Sequence, residues 1–158
     1  MRTVWFFGLI TAALFAGIAV YLLPLKPSVV SLQFTFSESA FLAVLHRWQA
    51  DDIARFKAHF VADYALLVCY GVFGYTFARR TLLFGSGSHG RKRLLSWLLP
   101  LAALMDAIEN ALHLYLISAA SHATAALFPA AGVVATLKWL LLGAFVTAAV
   151  LSLRTRTR

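Results

Sequence analysis

Four stretches of this chain, at about 4–25, 59–78, 94–120 and 129–153, are each long and apolar enough to cross a bilayer as a helix. About 20 apolar residues rising ~1.5 Å each cover ~30 Å of hydrocarbon. The first stretch carries no charge, the second only Asp63, the third Asp106 and Glu109, and the fourth Lys138. Lipid offers the backbone no hydrogen-bond partner, so only helices and closed barrels span it, and these runs lack strand alternation. The reading is an all-α integral membrane four-helix bundle, one domain covering 1–158. Composition agrees: 61% of residues are hydrophobic and 13% charged, far from a soluble domain. The single cysteine, Cys69, excludes an internal disulfide and a cysteine-based metal centre, and reads as a small buried hydrophobe.

The first stretch differs from a cleaved signal peptide. It is long for a signal core and ends in Leu23-Pro24-Leu25-Lys26-Pro27, not in a small-x-small cleavage site. It reads as a retained anchor.

The net charge of +8 fits membrane topology better than nucleic-acid binding, which we exclude. Arg79, Arg80, Arg91, Lys92 and Arg93 fill the second connection with no acid among them. Arg2 precedes the first span, and Arg154, Arg156 and Arg158 follow the last. On the opposite side Lys26, Arg47, Arg55 and Lys57 are partly offset by Glu38, Asp51 and Asp52. The positive-inside rule then places both termini and the 79–93 loop in the cytoplasm. Arg91-Lys92-Arg93 reads as a topology determinant, with an anionic-lipid or nucleic-acid patch as the competing reading.

The long outer connection, 26–58, is organised. Pro24 and Pro27 end the first helix, 32–36 alternates briefly, and Ser37 is a good N-cap. Phe41, Leu45 and Trp48 then form one apolar stripe flanked by Glu38, His46, Arg47 and Gln49. This predicts a short amphipathic helix at about 37–50 on the outer interface, anchored by Trp48, with Asp51 or Asp52 capping the next helix. It is either a lid over the bundle mouth or a packed connector.

Three of the six carboxylates lie in predicted spans. Such groups cost about 2.5–3.5 kcal/mol at the centre of a membrane helix and persist where they face partners. At ~1.5 Å per residue from each entry point, Lys138 and Asp106 lie ~17–18 Å above the cytoplasmic edge and Glu109 and Asp63 ~22–24 Å. Asp106, Glu109, Asn110 and His113 share one helix face by their i, i+3, i+4, i+7 spacing, and His59, Asp63 and Tyr70 share another. Thr136 lies near the level of Lys138. The expected picture is a polar cavity open to the outside and floored by Asp106 and Lys138.

That cluster has three readings. It fixes the bundle through interhelical hydrogen bonds and an ion pair. Or it is a ligand or catalytic pocket, with Asp63, Asp106 and Glu109 as acid/base groups and His59, Tyr70, Asn110, His113 and Lys138 as binding residues. Carboxylates outnumber the one lysine, which leaves at least one to be matched by a proton or a histidine. Or it holds a metal through His59, Asp63, Glu109 and His113, although Glu109 and His113 stand four apart where di-iron bundles use three, and Lys138 opposes a cation. No metal site is assigned on that balance, and no cofactor. Gly85-Ser86-Gly87-Ser88 lacks the preceding strand and following Gly-Lys-Ser/Thr of a phosphate cradle. His89 and His122 read as loop residues without a role.

The motifs 58–64 (Ala-His-Phe-Val-Ala-Asp-Tyr), Tyr70-Gly71, Ala78-Arg79 and 106–110 (Asp-Ala-Ile-Glu-Asn) resemble a group of small bacterial four-helix inner-membrane proteins. That likeness covers most of the chain and implies no activity. A looser analogy of fold is to the emopamil-binding sterol isomerase and sigma-2 receptor group, with four spans and a helix-two His-x-x-x-Glu where this chain has His59-x-x-x-Asp63.

Three functions therefore compete. The first is a pocket that binds, and in one version transforms, a small amphipathic or lipid-like molecule. The second is a non-catalytic accessory or assembly subunit, with a membrane-protein partner or a second copy of the chain. The third is a proton or ion path, disfavoured because polar residues other than Ser96 thin out toward the cytoplasmic ends. The pattern does not decide between binding and catalysis.

Overall fold

The structure, a computed structural model, describes residues 1–84, 89–119 and 124–154. These form α1 (Arg2–Leu22), α2 (Val29–Gln33), α3 (Glu38–Leu45), α4 (Ala50–Arg80), α5 (His89–Ala119) and α6 (Leu127–Arg154). There is no strand among the described residues. The 85–88 stretch, His122, Arg156 and Arg158 lie outside them.

Helices α1, α4, α5 and α6 are each long and apolar enough to cross a membrane. α1 has 21 residues, about 31 Å at the helical rise, and α4 has 31, about 46 Å. They pack as neighbours in the order α1, α4, α5, α6. Their outer faces carry large apolar side chains such as Trp5, Leu9, Phe15, Val61, Leu104 and Leu140. Exposed apolar surface on this scale is costly in water and fits a multi-pass membrane protein.

Local chemistry sets the helix ends. In α4, Gln49 is the N-cap of a capping box: its N–H donates to Asp52 Oδ2 at 3.1 Å and its side chain accepts from the Asp52 N–H. Asp52 thus acts at the third helical position, where an expectation of Asp51 or Asp52 at the cap itself is corrected. The other end closes on Arg79 and Arg80, cations on the negative end of the helix dipole. Ser37 caps α3 as its sequence predicts, accepting from Ala40 N at 3.2 Å.

The outer connection departs from expectation in several places, beginning with the helix expected at about 37–50, which runs only over Glu38–Leu45 before α4 starts at Ala50. The stretch read as alternating begins inside a helix, α2, and Thr35 Oγ1 donates back to Leu32 O at 2.7 Å. Trp48 is a core residue and not an interfacial anchor. It is buried on Phe56, and its Nε1 donates to Pro27 O at 2.8 Å. The buried stripe of this segment is Phe41, Val44 and Trp48, with Leu45 half-buried.

α2 and α3 therefore close one end of the bundle, the capped end. An apolar core there joins Leu25, Leu32, Phe41, Phe56, Leu116 and Phe128. A second core toward the opposite, basic end joins Leu67, Ala78, Phe84, Leu99 and Phe145. Gly132 lets the cap seat on α6: a Cβ there would stand 2.6 Å from the Thr35 carbonyl oxygen and 2.7 Å from the Phe36 ring. Gly74 lets α4 reach α5, since its Cβ would stand 2.3 Å from Leu99 Cβ.

Candidate functional site

Between the two apolar cores lies a layer of polar side chains. α4 contributes His59, Asp63 and Tyr70, all buried, with Asp63 and Tyr70 turned to α5. α5 contributes Asp106, Glu109, Asn110 and His113, and α6 contributes Lys138. Contacts join Asp63 to Asn110 and link Tyr70, Asp106, Lys138, Glu109 and His113, whereas His59 stands apart, about 16 Å from Tyr70 along α4 at the helical rise.

Lys138 is the hub. Its Nζ donates to Asp106 Oδ1 at 3.1 Å and lies 2.6 Å from Glu109 Oε2. The Glu109 contact is an ion pair by distance and lacks hydrogen-bond angles. Tyr70 Oη donates to the other oxygen of Asp106 at 3.2 Å. Asn110 Nδ2 donates to Asp63 Oδ2 at 2.5 Å, tying α5 to α4. Asp63, Asp106 and Lys138 are thus matched by partners that α4, α5 and α6 supply, which is how charged groups survive burial.

Glu109 is less satisfied. It is 0% exposed, its Oε1 faces His113 Nδ1 at 3.6 Å, and no hydrogen bond reaches that oxygen. His113 Nε2 is also without a hydrogen-bond partner among the described residues. A hydrophobic shell buries both atoms. Phe41 stacks on the His113 ring at 6.0 Å and 17°, Phe56 meets it edge-on at 6.2 Å, and Phe128 closes on Phe41 at 5.5 Å.

This corrects the expectation of an open polar cavity. His113 is 1% exposed under α3, and His59 is buried beside Phe60. Neither histidine stands at an open mouth. The Thr136 hydroxyl donates to Gly132 O in its own helix at 2.8 Å. The metal set does not assemble: among the described residues no three histidine, cysteine, aspartate or glutamate side chains gather to hold an ion. The space between Asp106 and Glu109 is filled by the Lys138 ammonium.

What spacing missed is a groove of about 280 Å³ between α1 and α4. Ala13, Leu14, Gly17, Ile18 and Tyr21 form one wall, and Ala58, His59 and Ala62 the other. Ala13 with Gly17, and Ala58 with Ala62, are pairs four residues apart, so two small-residue faces meet and leave space. That spacing is visible in the sequence. Gly17 faces open space, with nothing within 4 Å of a Cβ built there. His59 is the one residue of the polar layer that lines this groove. Its Nδ1 hydrogen-bonds the Phe56 carbonyl. A carbonyl only accepts, so Nδ1 carries the hydrogen and Nε2 of the neutral ring keeps its lone pair.

No protein-family model, curated protein or solved structure matches this chain.

Proposed function

We propose that this chain is a multi-pass protein of the bacterial inner membrane, with both termini cytoplasmic, that binds a small amphipathic or lipid-like molecule in the α1–α4 groove. The observation that carries the reading is the meeting of that groove with the polar layer at His59. The walls are apolar and open laterally, which suits a hydrocarbon chain arriving from lipid. Nε2 of His59 offers an acceptor for the hydroxyl or ammonium of the molecule's polar end. Behind it stand Asp63 and the Asp106–Lys138–Glu109 group, which Coulombic attraction couples to a charge placed at His59.

Photo-crosslinking in proteoliposomes tests the proposal, using a long-chain alcohol that carries a diazirine. Adducts are expected within 13–21 and 58–62. Gly17→Phe should suppress them without unfolding the protein, because the ring enters open space. Equal labelling of wild type and Gly17→Phe overturns the assignment.

A second reading, a non-catalytic accessory or assembly subunit, draws on a separate observation. Phe41, Phe56 and Phe128 close over the polar layer, and Lys138, Asn110 and Tyr70 each meet a carboxylate within it. On that reading the layer only fixes the bundle, and Glu109→Gln leaves every binding assay unchanged.

A further inference from the structure

A second groove, of about 300 Å³, opens between α4 and α5 nearer the basic end. Its lining is Gly71, Val72, Tyr75, Trp97 and Pro100. At the floor Gly71 leaves α5 within reach: a Cβ there would only make ordinary van der Waals contact, 3.5 Å from Ala103 Cβ and 3.8 Å from Pro100 Cα. The walls are two half-exposed aromatic rings, Tyr75 and Trp97, packed edge-on at 5.7 Å.

One arginine stands at the rim, and a second lies on the neighbouring helix face by its spacing. Arg79 lies over the Tyr75 ring, its Cζ 5.8 Å from the centroid. Arg93 is four residues before Trp97 on α5, so it projects from the same helix face one turn nearer the basic end. Both are exposed. No carboxylate balances them, because 64–105 and 110–158 contain no aspartate or glutamate. The groove thus runs from an apolar floor, through an aromatic pair of the kind that sits at headgroup level, to two arginines.

We infer that this groove is a binding site for an anionic glycerophospholipid of the leaflet facing the basic end. One acyl chain lies against Gly71 and Pro100, the glycerol region meets Tyr75 and Trp97, and the phosphate is shared by Arg79 and Arg93. Guanidinium groups match phosphate oxygens in planar, paired geometry. The absence of any acid at this end leaves nothing to balance the cation of a zwitterionic headgroup, so phosphatidylglycerol is favoured over phosphatidylcholine. The inference rests on the chain spanning a bilayer, and not on the ligand proposed for the α1–α4 groove.

The test reconstitutes the full chain in phosphatidylcholine nanodiscs containing a minor fraction of acyl-brominated lipid. Bromine quenches tryptophan fluorescence on contact. Subtracting the signal of Trp97→Phe isolates Trp97 from Trp5, Trp48 and Trp139. Brominated phosphatidylglycerol should quench Trp97 more than brominated phosphatidylcholine at the same fraction. That excess should vanish in Arg79→Gln/Arg93→Gln and persist in Arg2→Gln/Arg154→Gln, which removes the same charge elsewhere at this end. If the double variant fails to fold, Arg79→Gln and Arg93→Gln read singly should each reduce the excess. Equal quenching by the two lipids, no quenching by either, or equal loss in both double variants overturns the site.

Discussion

A buried ammonium held between two carboxylates matters most when it is removed. Lys138→Met leaves Asp106 and Glu109 facing one another without a cation, and the expected loss of stability is about 3 kcal/mol, the low end for breaking a buried pair. Glu109→Gln keeps the side-chain shape, and Lys138 keeps Asp106 at 3.1 Å, so a loss of about 1 kcal/mol is expected. Reversible unfolding in mixed micelles ranks the two, and a larger loss for Glu109→Gln contradicts the hub role of Lys138. Asn110→Leu removes the donor that meets Asp63 at 2.5 Å and should cost about 1–3 kcal/mol by the same measurement. Each of these side chains was identifiable from spacing and charge alone. Their exact pairing was not, because spacing defines a helix face but not which neighbour turns toward it.

At the scale of elements, three glycines have opposite expectations. Gly132→Ala forces a methyl group into the Thr35 carbonyl and Phe36 ring. It should loosen the α2–α3 cap, seen as faster hydrogen exchange over Val29–Leu45 than in wild type. Gly74→Ala meets Leu99 Cβ, an atom fixed to the backbone, and overpacking of this kind costs about 1–3 kcal/mol. Gly17→Ala meets nothing, so the better helix propensity of alanine should leave stability unchanged or raise it by up to about 1 kcal/mol. A destabilised Gly17→Ala in the same unfolding assay would mean that the α1–α4 groove is not open space. Composition marks these positions equally, and only the approach of a neighbouring helix separates them. The cap shows the same limit. Ser37 is legible as a cap, but its stripe is legible only in part: Val44 and not Leu45 turns inward, and an aromatic residue such as Trp48 in an amphipathic segment does not reveal which side has a partner.

For the whole molecule, the distribution of arginine and lysine makes the orientation testable. In a Cys69→Ala background, a cysteine placed at position 86 should resist an impermeant thiol reagent applied from outside the cell, and one placed at 122 should react. Labelling of the 86 site from outside would reverse the topology. The same asymmetry makes the two ends chemically different: Glu38, Asp51 and Asp52 lie at the capped end or beside it, and the opposite end has only cations.

What the sequence by itself determined is the class of fold and the membership of the polar layer. Four apolar runs near 20 residues leave a backbone in lipid no alternative to helices, and a charge inside such a run must turn toward the others. These constraints act within one helix, so one helix's sequence expresses them. The tertiary structure alone decided whether that layer is open or closed. Phe41 arrives from α3 and Phe128 from α6, and they meet over His113 only because α2 and α3 fold back across the bundle end. The two grooves are likewise properties of pairs of helices: each is the space left where small residues on one helix face small residues or a proline on the next. The i, i+4 small residues are visible within each helix, but packing geometry between helices decides which of these faces meet and what space they leave.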